Sequence, residues 1–387
     1  MTVTAAHLYQ SPMVGESRIE RITDALLDAG LVDEVLLIGN RAKGLPWKVR
    51  DARGREILRI GRVSPRGGLF VLKIIATLRW SFGVLRRVRG RRIDIVNCHA
   101  VSLLPLSWFL ALRHRAMLIY DPHELETETF YCRGLRRVLL KMVERLFIHR
   151  AAHTFVVGSR IAGWYRNAYG IEPTVIRNMP VRRTVSREPS RFRERLGIAP
   201  ERLVFLYLGK LAPGRGIEKC LGVFEGIPSC EFVCMGEGEL APLIQEAARR
   251  TPNIHHHPAV PPGEVLREAC GADVGVFISD PSCLSYEYSC PNKFFEYVQS
   301  GLPIMVTENF VEQADIVRTH GLGWVLPQDA RACAEIIAGL SRDDVVQARQ
   351  RVAQAADLFH WDVDRKRLVT TYRELLSVQA AVARSDS

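Results

Sequence analysis

A lysine and a glutamate lie one helical turn apart in SCPNKFFEYVQSGLPIMVT, residues 289–307. Pro291 predicts the first position of a helix, with one of the two preceding residues as its cap. Lys293 would then lie in the first turn, where the helix dipole favours anions over cations. A surface pair between Lys293 and Glu296 contributes well under ~1 kcal/mol, whereas a bound phosphate would stabilise the lysine, and Glu296 could accept both hydroxyls of a ribose. The spacing favours a nucleotide site over a weak surface ion pair.

Glycines and two cations follow a short apolar run in YLGKLAPGRGIEKCL, residues 207–221. The pattern predicts a strand ending at Gly209, a loop carrying Lys210 and Arg215, and then a helix. Glycines let the backbone approach a ligand closely, and cations beside a helix N-terminus suit a diphosphate. The loop is neither a Walker A loop nor a GxGxxG fingerprint, so a plain strand–turn–helix connection with solvated basic residues is the alternative. Gly236, in CMGEGEL, marks a weaker strand end of the same kind.

Two segments of the first half are candidates for the other side of a ligand site. YDPHELETE, residues 120–128, places His123 just past a predicted strand end, and SPMVGESR, residues 11–18, places Gly15 between the first strand and the first helix. Residues at the carboxyl ends of strands are candidates for the active face of an α/β sheet, with a simple polar loop as the alternative for His123. The run His255–His257 suggests a metal site, but consecutive strand residues point in alternate directions and cannot converge on one ion. We predict no metal site in this chain.

Short apolar runs alternate with amphipathic stretches of helical length, which predicts parallel sheets covered on both faces by helices. The alternation is interrupted at residues 180–201, a proline- and arginine-rich segment that we interpret as a linker. We therefore predict two doubly wound α/β domains, residues 1–180 and 181–360, with a closing helix at 361–380 that returns to the first domain. Ligands of such sheets bind beyond the carboxyl ends of the strands, so the expected site is a central cleft between the domains. The predicted strands lie at 34–40, 94–100, 116–124, 153–159, 173–178, 203–210, 231–238, 253–259, 273–279, 302–307 and 323–326.

The composition is that of a globular protein with an excess of positive charge. Of 387 residues, 47% are hydrophobic and 25% are charged, and the formal net charge is +11. The hydrophobic and charged fractions are those of ordinary globular proteins and argue against global disorder. Nine cysteines without CxxC pairs or zinc-type spacing indicate buried thiols of a reducing compartment. The N-terminus lacks a signal-peptide pattern, and no apolar run is long enough to cross a bilayer. These features predict a cytoplasmic protein.

The positive charge is concentrated in residues 57–93, which contain ten Arg or Lys residues and no Asp or Glu. One interpretation is a solvated helix whose arginine stems lie along a core-facing stripe. The others are a nucleic-acid patch and a helix resting on an anionic membrane surface. No zinc finger or RNA-binding aromatic motif accompanies the charge, so we predict no nucleic-acid partner. The solvated helix and a peripheral position on the inner membrane both remain open.

Taken together, these segments resemble the retaining glycosyltransferases of family 4, which have the GT-B fold, over nearly the whole chain. YLGKLAPGRGIEKCL resembles the family's Gly-Arg-Leu…Lys-Gly loop, with Lys210 in place of the usual arginine and Arg215 in place of the usual lysine. NKFFEYVQSGLPIMV resembles its segment ending in Glu-Ala-x-x-x-Gly-x-Pro-Val, which aligns Glu296 with the ligand of the nucleotide ribose. The PNK-F-F-E-Y wording matches a subgroup with asparagine and lysine at the positions of Asn292 and Lys293. CMGEGE and YDPHE are similar to the family's strand-end Gly-x-Gly and histidine motifs.

The resemblance implies transfer of a sugar from a nucleotide-diphosphate sugar, with retention at the anomeric carbon, to a lipid-linked, polysaccharide or small-molecule acceptor. It implies no metal and no cofactor besides this donor, because cations such as Lys210 and Arg215 would neutralise the leaving diphosphate. His123 would lie on the acceptor side near the anomeric carbon. The family commonly carries an acid eight residues before the ribose-binding glutamate, contacting the donor sugar, and here that position is Tyr288 with Glu287 beside it. A nucleotide-sugar epimerase and a catalytically silent nucleotide- or partner-binding relative are the alternatives.

Overall fold

The computed structural model of the chain describes residues 2–62, 70–182, 191–261 and 263–385. The chain forms two compact units, Met1–Arg177 with Asp364–Ser387, and Asn178–Val363. Each unit contains one largely parallel sheet whose strands alternate with helices along the chain, so the prediction of two α/β domains is confirmed. Within the described part of the chain, no helix is both long enough and apolar enough to cross a bilayer.

The first unit is built on an eight-stranded sheet. Its strands are β1 (Thr4–Leu8), β2 (Glu34–Arg41), β3 (Lys48–Arg50), β4 (Glu56–Arg62), β5 (Ile95–Cys98), β6 (Met117–Tyr120), β7 (His153–Val156) and β8 (Thr174–Val175). Its helices are α1 (Ser17–Asp28), α2 (Phe70–Val88), α3 (Leu104–His114), α4 (Gly134–Phe147) and α5 (Ser159–Tyr169), with 3-10 turns at Val101–Leu103, Glu126–Glu128 and Ile148–Arg150. The strand order is β3-β4-β2-β1-β5-β6-β7-β8, and every pair is parallel except β3 with β4.

The second unit is built on a six-stranded parallel sheet. Its strands are β9 (Leu203–Leu208), β10 (Cys230–Met235), β11 (Ile254–His257), β12 (Val274–Phe277), β13 (Ile304–Thr307) and β14 (Gly323–Leu326), in the order β11-β10-β9-β12-β13-β14. Its helices are α6 (Phe192–Leu196), α7 (Ile217–Phe224), α8 (Ala241–Arg250), α9 (Val265–Ala269), α10 (Leu284–Glu287), α11 (Asn292–Gln299), α12 (Val311–His320), α13 (Ala330–Ala338) and α14 (Arg342–Ala355), with a 3-10 turn at Ala356–Leu358. The closing helix α15 (Trp361–Ser385) begins in this unit and continues in the first.

Alternate side chains of the central strands enter two separate cores. In β9, Val204 and Leu206 lie in one apolar cluster, whereas Phe205 and Tyr207 lie in another. A parallel strand is buried on both faces because crossover helices cover both, which is why these strands are continuous apolar runs in the sequence. The nine cysteines are free thiols, seven of them buried and two half-buried, as the spacing predicts.

The segment at 180–201 is not a linker throughout. Residues 183–190 lie outside the described residues, but α6 packs into the second unit through Phe192, which is fully buried. The side chain of Arg193 pairs with Asp273. One buried ring and an ion pair anchor α6 to the second unit. The arginine-rich composition of the segment gives no indication of this anchoring.

Residues 57–93 contain a strand as well as the expected helix. Strand β4 forms a hairpin with β3, and its Arg59 is buried, donating to the carbonyls of Pro12 at 2.7 Å and Pro46 at 2.9 Å. The helix α2 buries Trp80 and exposes Phe82, which is 71% accessible. The prediction missed the strand because the arginine takes an inward position that is usually apolar.

The helix at 291 begins one residue later than predicted. Pro291 has an extended backbone, φ −75° and ψ 161°, and α11 starts at Asn292 without a side-chain cap. Neither Ser289 nor Cys290 caps the helix, and the hydroxyl of Ser289 instead donates to the carbonyl of Tyr286 at 3.0 Å. Proline lacks an N–H and fixes φ near −65°, so it fits the position before the helix as well as the first helical position.

Candidate functional site

The strand order of the second unit places a crevice at the carboxyl ends of β9 and β12. The chain leaves the sheet centre in one direction from β9 through β10 to β11 and in the other from β12 through β13 to β14. Helices that follow β9 and β12 therefore cover opposite faces, and the loops at the strand ends diverge, which is where ligands of open α/β sheets bind. The loop 209–216 follows β9, and the N-terminus of α11 lies on the same edge because α11 precedes β13.

Three glycines let the backbones at this edge approach each other. A Cβ on Gly236 would lie 1.9 Å from the carbonyl oxygen of Gly209, and a Cβ on Gly216 would lie 2.3 Å from the carbonyl oxygen of Ile278. Both positions have positive φ, 154° and 81°, which side chains other than glycine rarely adopt. Gly209 and Gly236, which the sequence indicates as ligand-contact glycines, thus lie back to back at the strand ends. Their first role in the structure is to fix the loops.

Lys293 lies over this edge in an apolar environment. Its Nζ is 4.1 Å from the ring centroid of Tyr207 and 4.4 Å from that of Phe277. A Cβ on Gly209 would lie 4.0 Å from its Cδ. Burial lowers the pKa of Lys293 from its ordinary value of 10.5 to about 7, because removing an ammonium from water disfavours its charged form. Ring faces attract a cation but do not neutralise it.

Lys293 has no anionic partner at contact distance among the described residues. It forms neither an ion pair nor a hydrogen bond there, so the surface pair with Glu296 is not formed. Glu296 lies one turn further along α11, half-buried, and its charge still favours the protonated amine. Asn292 is exposed at the start of the same helix. A half-buried cation in the first turn of a helix lies beside backbone N–H groups that attract anions. A diphosphate bound there would supply the negative charge that Lys293 lacks.

The two loop cations and the 287–288 segment lie on the same edge. Lys210 and Arg215 are exposed, and the guanidinium of Arg215 lies 5.8 Å from the ring centroid of Tyr286. This contact connects the loop after β9 to the short helix α10, whose last residue is Glu287 and whose C-cap is Tyr288. Glu287 and Tyr288 are both half-buried. The structure therefore brings the predicted residues of the second unit to one edge of one sheet.

A chain of buried side chains leads to His123 in the first unit. The hydroxyl of Tyr372 donates to Oδ1 of Asn97, and Nδ2 of Asn97 lies 3.3 Å from Nε2 of His7. Nδ1 of His7 lies 3.0 Å from Nε2 of His99, and Nδ1 of His99 lies 3.1 Å from Nε2 of His123. The first four residues are at most 1% exposed, so each polar atom depends on its neighbour for a hydrogen bond.

The direction of the hydrogen bonds along this series of side chains determines which ring nitrogens of the histidines carry protons. The amide of Asn97 donates, so Nε2 of His7 accepts and Nδ1 of His7 carries the proton. His99 then accepts at Nε2 and carries its proton on Nδ1, which faces Nε2 of His123. Burial lowers the pKa of His123 to about 3, so the ring is neutral at pH 7 and its proton lies on Nδ1. The chain therefore presents His123 as a neutral hydrogen-bond donor.

Asp121 holds the other side of His99. Its Oδ2 lies 3.2 Å from Nδ1 of His99, and the guanidinium of Arg18 donates to both carboxylate oxygens. Burial alone would raise the pKa of Asp121, but Arg18 and His99 hold it well below its usual range. Arg18 also donates to the carbonyl of Ile176 at 2.7 Å. This cluster was not predicted, because its only local signals in the sequence are single polar residues inside or just after apolar strands.

The donor atoms of His99, Asp121 and His123 lie within 4.8 Å of one another, as in many metal sites. Two features oppose a metal at this position. Arg18 already donates to both oxygens of the carboxylate, and the proton on Nδ1 of His99 occupies the nitrogen that would bind the ion. A metal ligand must be deprotonated, so the donor set fits a hydrogen-bonded cluster better than a metal centre.

The loop after β6 and the loop after β1 complete this edge. Glu126, three residues after His123, accepts the N–H of Val101 at 2.8 Å, and burial raises its pKa to about 8. It is therefore protonated at neutral pH. The ring of Tyr9 lies 4.9 Å from that of His123. Gly15 has φ 68° and no atom within 4 Å of its Cβ position, so it is needed for the backbone turn and leaves open space beside it.

The three consecutive histidines do not converge, as alternation along a strand predicts. His255 pairs with Glu231 at 2.7 Å, His256 lies 3.2 Å from the carbonyl of Gly236, and Nδ1 of His257 lies 2.8 Å from the carbonyl of Pro258. Each ring has its own partner, and they belong to the edge strand β11.

Replacing Tyr372 by phenylalanine is expected to destabilise the first unit by about 1–3 kcal/mol, because Oδ1 of Asn97 would lose its buried donor. The stacking of the ring on Phe155, with centroids 5.5 Å apart, is retained in the variant. Urea unfolding measures the difference. Tyr131→Phe is the matched control, since Tyr131 is 79% exposed and should change little. A Tyr372→Phe variant as stable as the wild type would contradict the hydrogen-bonded chain.

The fold matches solved structures over nearly the whole chain. Sucrose-phosphate synthase (tll1590) from Thermosynechococcus elongatus aligns with a TM-score of 0.75 at 17% identity, covering 98% of this chain and 100% of that one. Alr3699/HepE from Anabaena, in complex with UDP and glucose, aligns with a TM-score of 0.68 at 15% identity, covering 96% and 100%. WaaG, a glycosyltransferase involved in lipopolysaccharide biosynthesis, aligns with a TM-score of 0.67 at 12% identity, covering 96% and 99%. The chain therefore has the GT-B fold of these glycosyltransferases.

Two segments of the sequence match known glycosyltransferase domain families. Residues 15–182 match the Glycosyl transferase 4-like domain, and residues 202–343 match Glycosyl transferases group 1. No curated protein sequence matches the chain significantly. The two domain matches cover most of the chain, which belongs to the glycosyltransferases with this pair of domains.

Proposed function

We propose that this glycosyltransferase moves a sugar from a nucleoside-diphosphate sugar to an acceptor with retention at the anomeric carbon. The observation that carries the proposal is Lys293, a half-buried amine over two ring faces with no anionic partner at contact distance among the described residues. A donor diphosphate at the β9–β12 crevice would supply the missing countercharge. Lys210 and Arg215 extend the positive charge along the same edge.

The choice of donor class has support from a structural neighbour. Anabaena Alr3699/HepE is described in complexes with UDP, with UDP-glucose, and with UDP and glucose. We propose a nucleotide sugar for this chain as well, bound as a substrate, with cations in place of a metal and Glu296 on the ribose hydroxyls. The acceptor that we propose is a glycan or lipid-linked sugar, and His123 donates a hydrogen bond from Nδ1 on the acceptor side.

Tyr288 favours one alternative, a nucleotide-binding relative without transfer activity. The position commonly carries an acid in the family that the chain resembles, and a phenol cannot accept hydrogen bonds from sugar hydroxyls as a carboxylate does. Glu287 lies beside it on α10. Tyr288→Glu would restore the acid, and a gain of activity in that variant over a silent wild type would support the alternative.

The function is tested with purified protein and a panel of UDP, GDP and ADP sugars. A thermal-shift screen first identifies the nucleotide, because a ligand that binds only the folded state raises its stability. Donor consumption is then followed with and without mixed glycan acceptors, and NMR of the product reports the anomeric configuration. Retained configuration is the expected result. An inverted product would contradict retention, an isomerised donor would indicate epimerisation, and binding without turnover would indicate the silent relative.

Replacing Glu296 by glutamine is expected to weaken binding of the nucleotide identified in this screen by roughly ten- to hundredfold, because charge-assisted hydrogen bonds contribute about 1.5–3 kcal/mol. The 2′-deoxynucleotide should bind the wild type more weakly, with little further loss in Glu296→Gln. Lys210→Ala and Arg215→Ala should each weaken diphosphate binding without this dependence on the ribose. Equal affinity of wild type and Glu296→Gln for the ribonucleotide would contradict the ribose role.

We also propose that one face of the first unit associates with an anionic membrane. Right-handed crossovers place α2, α3 and α4 on the same face of the sheet, and these helices contain one acid, Glu144, which is buried and hydrogen-bonded to tyrosines. Their exposed apolar side chains include Leu78, Phe82, Leu112 and Leu135. Apolar side chains among exclusively positive exposed charges are typical of helices that lie on anionic lipid.

A further inference from the structure

A cavity of about 590 Å³ opens between the ends of α2 and α3 in the first unit. Four of its lining residues are arginines and none is acidic, and the arginines are Arg89, Arg91, Arg92 and Arg113. His114 also lines the cavity, but burial lowers its pKa, so we do not count it among the charges. Leu85, Val88, Phe109 and Leu110 line it as well. Val88 and Leu110 are buried, whereas Leu85 is half-buried and Phe109 is exposed, so Leu85 and Phe109 form an apolar wall beside the cationic rim. This composition suits a ligand with an anionic head and an apolar tail.

Two of the arginines in the cavity have no counter-ion among the residues that the structure describes. Arg91 pairs with Glu56 at 2.8 Å and Arg92 with Asp94 at 2.9 Å. Arg89 and Arg113 are exposed and form no ion pair or hydrogen bond with any residue that the structure describes. The C-terminal ends of α2 and α3 favour cations through their dipoles, which accounts for basic residues here. The dipoles do not account for the apolar wall.

The cavity lies at the edge of the sheet opposite His123. Its lining residues immediately precede β5 and β6, which begin at Ile95 and Met117, whereas His123 follows the end of β6. The four residues of β6 separate the two edges by roughly 13 Å. A ligand in this cavity would therefore not meet the reacting atoms around His123.

The exposed apolar side chains of α2 lead into the cavity. Leu78 and Phe82 are 63% and 71% exposed and precede the lining residues Leu85 and Arg89 at helical spacing. Leu112 of α3, which is 64% exposed, lies next to Arg113. The cavity is thus continuous with the surface proposed to lie on the membrane.

We propose that this cavity binds the phosphate of an anionic lipid headgroup, with Arg89 and Arg113 as the phosphate ligands and the apolar wall beside the glycerol and acyl chains. Arginine forms paired hydrogen bonds to phosphate oxygens, and the cavity volume is within the range of small-ligand sites. The inference rests on the proposed membrane association. It adds a specific contact that would fix how the first unit is oriented on the lipid surface.

The test compares two double variants that remove equal charge from the same face. Arg89→Gln with Arg113→Gln alters the cavity, whereas Arg79→Gln with Arg86→Gln removes exposed α2 arginines that do not line it. Binding to phosphatidylcholine vesicles with and without phosphatidylglycerol is measured by co-sedimentation at low ionic strength and at about 0.5 M, where exposed charges are largely screened. We expect the cavity variant to bind anionic vesicles about 100-fold more weakly, since two charged hydrogen bonds are lost. We expect a loss in the control variant that disappears at high salt.

Equal losses in the two variants at both ionic strengths would overturn the cavity as the site. Wild-type protein that does not bind anionic vesicles would overturn the membrane association itself, while donor consumption by the same sample tests the transferase function separately. Calorimetric titration with inorganic phosphate tests whether the cavity binds a soluble anion instead of a lipid headgroup. Phosphate binding that is lost in the cavity variant, with vesicle binding unchanged, would show a site for a soluble anion and overturn the lipid proposal.

Discussion

Replacing Lys293 by methionine is expected to slow donor consumption by roughly 10²–10³-fold, because electrostatic groups that stabilise developing charge typically contribute that much to the rate. The amine lies over the rings of Tyr207 and Phe277, where few water molecules compete for it. In the proposed transfer, negative charge grows on the diphosphate as the sugar leaves, and Lys293 is half-buried whereas Lys210 and Arg215 are exposed. Methionine preserves the length of the side chain and its contacts with the rings.

The same substitution should not destabilise the protein, because burial of the charged amine opposes folding of the wild type. The pH dependence of the free energy of unfolding should show this. The pKa of Lys293 is about 7 in the folded protein against 10.5 ordinarily, so the unfolded chain binds this proton more tightly. Between about pH 7 and 10.5 the unfolded state carries more protons, and wild-type stability rises with pH through this window. Lys293→Met lacks this rise, so its stability advantage over the wild type should shrink as the pH increases. Chemical unfolding at several pH values measures it.

Lys366→Met is the control, because Lys366 is an exposed residue of α15. It should retain wild-type rate and stability. Full activity in Lys293→Met would remove the diphosphate role of this lysine, and an equal loss in both variants would mean that the effect is not local.

Replacing Arg18 by methionine is expected to destabilise the first unit by about 3–5 kcal/mol, since it leaves the carboxylate of Asp121 buried without its cation. Both side chains are at most 5% exposed. The pKa of Asp121 is held below its ordinary value of 3.8, so the pair contributes stability above that pH and loses it as the solution becomes more acidic. Urea unfolding at neutral pH gives the free-energy difference.

Two further variants separate the buried charge from other effects of the substitution. Arg53→Met removes an arginine from exposed ion pairs with Asp24 and Asp28 and should change stability little. Adding Asp121→Asn to Arg18→Met removes the uncompensated charge and should recover part of the loss. If the double variant is no more stable than Arg18→Met, the destabilisation does not come from the buried carboxylate.

The fold was predictable because most of its strands are short apolar runs that alternate along the chain with stretches of helical length. Eleven runs named from the sequence correspond to strands β2 and β5–β14, since burial on both faces favours apolar residues in most of them. The hairpin β3–β4 was not predicted, because Arg59 takes an inward position that is usually apolar and donates to two backbone carbonyls. The helix α6 was not predicted because it lies in a segment rich in arginine and proline, residues 180–201, where one buried phenylalanine is a weak signal.

The candidate site was predictable in the second unit and much less so in the first. Lys293 and Glu296 are neighbours in sequence, so helical spacing alone relates them. The chain to His123 joins residues far apart, with Tyr372 and Asn97 separated by 275 positions. Only tertiary structure brings such residues together, and the proton positions follow from contacts that a single sequence does not contain. The same holds for the cavity formed by two helix ends.

Binding of a nucleoside diphosphate at the β9–β12 crevice through Lys293 can be measured by calorimetric titration of UDP, GDP and ADP into wild type and Lys293→Met. The titrations use two buffers of different ionisation heat at about pH 8, above the pKa of the free amine. One nucleotide should bind the wild type with uptake of nearly one proton, since the diphosphate restores the charge on Lys293, and Lys293→Met should bind it far more weakly without that uptake. Binding by both proteins with equal affinity and equal proton exchange, or binding of none of the three nucleotides, would contradict this role of Lys293.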